Sequence, residues 1–367
     1  MKKIFIAVFL IGILITMIGC TSKSSDTIKI GSILFLTNND ISVLGVAMQE
    51  GIDLAVEELN NEGGVLGKQI QIIHEDDELD ITKAVNSANK LANIDQVDVA
   101  LLGLVNTGKA SGEIFKSKQI PAIVLFDTNK ELEKLGDYIY GIGFNTEEAC
   151  YVMAEMLYTK KGVRTVAIIN HFDEWSTLIS NSFKERFEAL GGTVIVKESL
   201  EIGETNFRTT ITKAKDADAI YAPLVGDLDV FFKQAKELGY NGIITTGDGL
   251  TKEAIDNAKG AAENVYFTNV DVKENTRLER LKKAYSTKYN KESDLIVFNA
   301  LGYDSVMVVA EAIKIAKSND PKAIHDALYK VKDYQGAAGK VTINEKGFAP
   351  KFEKIFIVKD GEMERVE

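Results

Sequence analysis

The segment Ile28-Lys29-Ile30-Gly31-Ser32-Ile33-Leu34 alternates between apolar and polar or small positions, the pattern of a strand with one face inward. Downstream, Ile52, Ala55, Val56 and Leu59 recur at helical spacing, and Gly63-Gly64 ends that stretch. The spacing next predicts a strand over 69–74, then a helix through Ala84, Val85, Ala88, Leu91 and Ala92 with Thr82 as N-cap. A continuous apolar strand over 97–104, a helix carrying Ile114 and Phe115, and a strand over 121–126 follow. The grammar restarts at Asn145-Thr146-Glu147-Glu148, a capping-box signature before a helix through Val152, Met156 and Leu157. Strands over 165–170, 193–196, 219–225, 243–246 and 265–268 alternate with further helices, one of them carrying Ile179, Phe183, Phe187 and Leu190. Strands separated by helices need crossover connections and therefore predict parallel sheets. The order strand, polar loop, helix, strand, polar loop from Val99 to Leu125 is echoed from Ala219 to Thr245. Two similar α/β units explain the echo, and two sheets side by side leave a cleft.

Composition narrows the chemistry. The 367 residues suit two domains, and a 45% hydrophobic share is enough for packed cores. The net charge of -11, without a basic stripe, argues against a nucleic-acid partner. Two cysteines and three histidines give little material for a disulfide framework or a metal cage, so neither a metal nor another cofactor is expected. The N-terminus differs from the rest: Lys2-Lys3, an apolar run over 4–18, then Gly19-Cys20 and a polar stretch. This predicts a signal peptide over 1–19. Gly19-Cys20 resembles the bacterial lipobox, which implies lipidation of Cys20, with residues 20–27 as a lipidated tether. An uncleaved anchor is the other reading, although the run is short against the roughly 20 residues of a span. Both readings put the remaining chain on the extracytoplasmic face of the cell membrane, periplasm-facing if an outer membrane is present. Cys150 falls in an apolar helical pattern and reads as a small buried hydrophobe.

Ligands of open parallel sheets bind beyond the carboxyl ends of the strands. That rule selects Asn106, Thr107 and Gly108; Asp127, Thr128 and Asn129; His171, Asp173 and Trp175; Gly226 and Asp227; and Asp248 and Gly249. A helix N-terminus suits a carboxylate, Thr107 and Thr128 could add hydroxyl donors, and Asp127 or Asp248 could face an ammonium group. Trp175 could serve as an apolar lid. Together these are handles for a zwitterionic amino acid. The plainer alternative is that each Thr or Asp caps its own helix.

Ile52-Asp53-Leu54-Ala55-Val56, the run over 60–68, Glu75-Asp76-Asp77 and Leu301-Gly302-Tyr303-Asp304-Ser305-Val306 resemble motifs of the branched-chain amino-acid-binding protein family. The resemblance runs from about Ile28 to Val358. It implies a type I periplasmic binding fold: two doubly wound parallel-sheet lobes joined by a hinge of three crossovers. The expected division is 28–144 plus 271–350 for the N-terminal lobe and 145–270 plus 351–367 for the C-terminal lobe. The resemblance also implies delivery of a small-molecule ligand to an ABC permease. In its terms Thr107, or Asn106 if the alignment slips, matches the carboxylate-binding serine, and Thr128 a threonine touching both ends of the amino acid. The Phe126 carbonyl matches an acceptor for the amine, Asp248 the acidic residue holding the ammonium, Trp175 a covering aromatic and Leu44 a pocket-wall position. Asp127 departs from the family, which carries a small residue there; the extra carboxylate suits a polar or cationic group, or points to solvent.

Other motifs fail on spacing. The run over 63–68 lacks the residues of a phosphate loop, and the acidic run over 74–80 lacks the glycine and spacing of an EF-hand. His171 near Asp173 has no nucleophile motif beside it, and His325 is expected at the surface. The expected function is therefore a non-enzymatic, monomeric solute-binding lipoprotein for amino-acid transport. A ligand-sensing module for a receptor partner and an extracytoplasmic hydrolase are its rivals.

Overall fold

The computed structural model describes residues 27–38, 41–351 and 353–366. The signal peptide, Cys20 and nearly all of the tether lie outside the described residues. The first unit opens with β1 (Thr27–Leu34), α1 (Ser42–Asn61), β2 (Gln69–Asp76), α2 (Ile81–Asn89), β3 (Val99–Leu102), α3 (Val105–Ser117), β4 (Ala122–Val124), α4 (Lys130–Glu133) and β5 (Ile139–Gly141). Its five strands form a parallel sheet in the order β2-β1-β3-β4-β5. The second unit holds α5 (Thr146–Glu155), β6 (Thr165–His171), α6 (Glu174–Ala189), β7 (Thr193–Leu200), α7 (Arg208–Lys213), β8 (Ala219–Tyr221), α8 (Leu228–Glu237), β9 (Ile243–Thr246), α9 (Lys252–Asn257) and β10 (Tyr266–Asn269). The chain then returns to the first unit for α10 (Thr276–Tyr289), α11 (Ile296–Ala316), α12 (Pro321–Leu328) and a hairpin of β11 (Tyr334–Gly336) and β12 (Gly339–Val341). It crosses once more and ends in β13 (Lys354–Lys359) and β14 (Glu362–Arg365).

The second sheet has the order β14-β13-β10-β9-β8-β6-β7, parallel except where β13 and β14 join antiparallel. The three crossovers lie side by side in part: Lys351 N–H bonds the Gly143 carbonyl at 3.0 Å, and Asn145 N–H bonds the Lys351 carbonyl at 2.9 Å. One buried charge pair anchors this hinge to the first lobe. Asp304 of α11 accepts from the Ala337 and Ala338 amides at 2.6 and 2.9 Å and faces Lys351 Nζ at 3.7 Å. Burial raises the Asp304 carboxyl and lowers the Lys351 ammonium, and each charge opposes the other's shift.

Helix α11 is apolar and long enough to cross a membrane, with a mean hydropathy of 1.5, but it is 78% buried as the central helix of the first lobe. It packs on α1 through two glycines. A Cβ on Gly51 would lie 1.9 Å from the Asn299 carbonyl oxygen, and one on Gly302 would lie 2.0 Å from that of Met48. Only glycine lets these backbones approach so closely.

Three local expectations are corrected. Asp80, not Thr82, caps α2 by accepting from Lys83 N–H at 2.9 Å, because a carboxylate one residue before the helix reaches that amide. The strand over 219–225 stops at Tyr221, since Pro223 brings no N–H to the ladder. His325 is packed rather than placed at the surface: its ring stacks on Tyr138 at 3.9 Å and meets the Tyr140 hydroxyl at 2.7 Å.

Candidate functional site

The carboxyl ends of β1, β2, β3 and β4 form the cleft-facing edge of the first lobe. Here the acidic run after β2 braces loops. Asp76 accepts from Leu36 N–H at 2.9 Å and from the Thr37 hydroxyl at 2.6 Å. Asp77 is buried and accepts from Leu79 N–H at 3.0 Å and from the Thr107 hydroxyl at 2.6 Å. Thr107 thus sits in the first turn of α3 as the sequence suggests, but its hydroxyl points to Asp77. Burial raises the Asp77 carboxyl, against the bond from Thr107. Asp127 reaches the same helix start and accepts from Val105 N–H at 3.0 Å.

Sheet pairing extends beyond β4. Asp127 bridges Phe144, so the Phe126 carbonyl accepts from Phe144 N–H at 2.9 Å, and Thr128 N–H donates to the Phe144 carbonyl at 2.7 Å. The Thr128 hydroxyl faces that same carbonyl at 3.2 Å. Thr128 also lines a cavity of about 190 Å³ beside the hinge, together with Asn129, Asn145, Glu147 and Tyr151. The Phe126 ring packs on Phe298 at 5.2 Å, and Leu44 is half-buried against the first-lobe core.

In the second lobe, Asp173 caps α6 through Ser176 N–H at 2.9 Å and so fixes the helix start that carries Trp175. Trp175 lies over Gly247-Asp248-Gly249, where a Cβ on either glycine would sit 3.4 Å from the indole. Burial pushes the Asp248 carboxyl up to about 6, and the neighbouring indole N–H favours its charged form. His171 is fully buried, and its Nδ1 accepts from Val225 N–H at 3.1 Å. This occupies the ring nitrogen a general base would use, and burial lowers the imidazole's pKa.

Below Asp248 lies a polar layer. Tyr221, Ile243 and Tyr266 pack toward α5 and α6, and strand alternation puts Thr245, Thr268 and Glu353 on that same face. Cys150 on α5 is buried, as its apolar pattern predicts, with Sγ 3.6 Å from the Tyr221 hydroxyl. Burial raises both groups far above their ordinary values. Glu353 is 3% exposed, and neither of its carboxylate oxygens has a hydrogen-bond partner. Burial and the Asp248 charge push its carboxyl well up, against the Thr268 hydroxyl.

The lobes meet across the mouth of this cleft. Asn106 Nδ2 donates to Glu174 Oε2 at 2.6 Å, and Lys109 Nζ lies 3.7 Å from Glu174 Oε1. Burial pushes Asp127 up to about 6 against its bond from Val105, and the charges of Glu174 and Asp248 add to the rise. The fold therefore gathers Asn106, Asp127, Trp175 and Asp248 about one cleft. It directs the Thr107 hydroxyl to Asp77, and it sets Thr128, Phe126 and Leu44 on the first-lobe side. Glu174, Glu353 and Asp77 were not singled out as site residues. Glu174 reads as an ordinary acidic first-turn residue, and nothing local distinguishes Glu353 from a solvated strand start. Among the described residues, no group of three His, Cys, Asp or Glu could hold a metal ion.

The model of the family described as periplasmic binding protein matches residues 27–356. The leucine-, isoleucine-, valine-, threonine-, and alanine-binding protein of Pseudomonas aeruginosa is 24% identical over 339 residues, 90% of each chain. The Leu/Ile/Val-binding protein homolog 3 of Brucella melitensis is 25% identical, covering 95% of this chain and 96% of its own. Among solved structures, the leucine binding protein LivK of Thermotoga maritima superposes with a TM-score of 0.78 at 28% identity, over 93% of this chain and 98% of that one. LivJ of Streptococcus pneumoniae, a branched-chain amino acid transporter substrate binding protein solved with isoleucine, gives 0.76 at 27% identity over 93% and 99%.

Proposed function

Because the chain belongs to the periplasmic binding protein family, we propose that it is an extracytoplasmic solute-binding lipoprotein that captures an amino acid or similar small zwitterion by lobe closure and hands it to an ABC permease. The observation that carries this reading is the Trp175 indole packed over Gly247-Asp248-Gly249 on one side of the cleft, with Asp127 at the start of α3 on the other. A ligand ammonium held by Asp248 and covered by Trp175 touches the second lobe, while its remaining atoms touch the first. Contacts to both lobes exist only in the closed form, so they supply the differential affinity that shifts the equilibrium toward closure. The permease then reads the closed shape. No bond is made or broken, in keeping with a His171 ring nitrogen engaged by backbone and a Cys150 thiol held protonated by burial. On this reading Cys20 carries the lipid, the lobes divide near the three crossovers, and one copy suffices.

Trp175 is the only tryptophan in the chain, so its emission reports on this site alone. Titrating the detergent-solubilised full-length protein with a panel of amino acids is expected to change that emission saturably for at least one of them. A flat response to all, with no heat in calorimetry, would contradict the reading.

A further inference from the structure

We infer that the cleft takes an amine of net positive charge, one with a second cationic group such as a diamine or a dibasic amino acid, in preference to an aliphatic zwitterion. This rests on the reading above that the cleft binds a small amine-bearing solute.

The first support is at the start of α3. A zwitterion's carboxylate needs a free helix N-terminus or hydroxyl donors. Here the Val105 amide is taken by Asp127 Oδ1 at 3.0 Å, and the Thr107 hydroxyl is taken by Asp77 at 2.6 Å. A ligand carboxylate placed there would share the remaining first-turn amides with a fixed protein carboxylate, and like charges at such range repel.

The second support is Glu353. It is 3% exposed, neither carboxylate oxygen makes a well-formed hydrogen bond, its polar neighbour is the neutral Thr268 hydroxyl, and no cation among the described residues is paired with it. Buried carboxylates ordinarily have a hydrogen bond or a counter-charge. Its electrostatic neighbour Asp248 has the same sign. The Ser176, Ser180 and Thr245 hydroxyls also lack hydrogen-bond partners, and each can donate to a carboxylate or accept from an ammonium.

The third support is the balance of charge around the cleft. Asp127 and Asp248 face it, and Glu353 adjoins it. The nearby cations are already engaged: Lys109 with Glu174, Lys130 with Tyr151 and Glu147, and Lys351 with Asp304. An aliphatic zwitterion brings one ammonium and so leaves all but one of these buried carboxyls without a counter-charge on closure. A ligand with two cationic groups would place one between Asp127 and Asp248 and the other toward Glu353.

The test is calorimetric titration of the detergent-solubilised full-length protein and its Glu353→Gln variant with arginine, ornithine and 1,4-diaminobutane, and with leucine and isoleucine. At least one cationic probe is expected to bind about 100-fold more tightly than leucine, the scale of a charge-assisted hydrogen bond. Glu353→Gln is expected to weaken that probe about tenfold or more without lowering the melting temperature. Leucine or isoleucine binding as tightly as every cationic probe would overturn the inference and leave the proposed function standing. A cationic probe whose affinity ignores Glu353→Gln would overturn the role given to Glu353. No binding by any probe to a cooperatively melting protein would overturn the proposed function, and the inference with it.

Discussion

At the cleft edge of the first lobe the acidic side chains have partners within the lobe. Asp76 holds Leu36 and Thr37, Asp77 holds Thr107 and Leu79, and Asp127 holds Val105. The corresponding layer of the second lobe is different. Among the described residues, the buried side-chain atoms without a hydrogen-bond partner are His171 Nε2, Asp173 Oδ2, the hydroxyls of Ser176, Ser180 and Thr245, both Glu353 oxygens, and Lys351 Nζ, whose contact with Asp304 is a charge pair at 3.7 Å. All lie in the second lobe or the last crossover. The first lobe is thus a finished platform. The second holds polar groups whose partners must come from elsewhere, and a ligand delivered on closure is one source.

If that contrast is right, breaking first-lobe polar contacts should cost stability, while trimming unpartnered second-lobe groups should not. The largest effect is expected from Asp304→Ala. It strands the Lys351 ammonium and two backbone amides, and should cost about 3–5 kcal/mol in denaturant unfolding. Asp77→Ala should cost about 1–3 kcal/mol by the same measurement, because the Thr107 hydroxyl and the Leu79 amide lose their acceptor.

Asp127→Asn tests the electrostatics while keeping a side-chain oxygen for Val105. The folded-state carboxyl, at about 6, lies above its ordinary value of 3.8. Native protein therefore binds more protons than unfolded protein between those values, and stability from this group is lost as pH rises through about 6. The variant should melt above the parent at pH 7.5, and the gap should close as pH falls through 6. Proton uptake by the two lowered histidines, His171 and His325, occurs in both proteins and cancels in the difference. At the small end, Ser180→Ala should change stability by no more than about 0.5 kcal/mol, since its oxygen has no partner to lose.

The alternation of strands and helices was legible because each element buries a local apolar pattern: the strand expected over 28–34 is found at Thr27–Leu34, and the one over 243–246 at Ile243–Thr246. That Trp175 and Asp248 would lie close together was legible because strand ends are where parallel sheets present side chains. The orientation of Thr107 was not, since it depends on Asp77, which lies beyond another strand. Nor was Glu353, whose burial follows from β13 joining β10 antiparallel across the sheet. The closing hairpin did leave a local sign, Asp360-Gly361 with both residues at positive φ, a two-residue turn that the periodicity alone does not reveal.

On the proposed function, capture between the lobes requires an acidic partner for the ligand's amine on the second lobe, and Asp248 is the residue proposed for it. Once a ligand is in hand, titration calorimetry of Asp248→Asn against the parent measures this directly. The account predicts a loss of about 1.5–3 kcal/mol in binding free energy with the fold intact; an affinity equal to the parent's would contradict it.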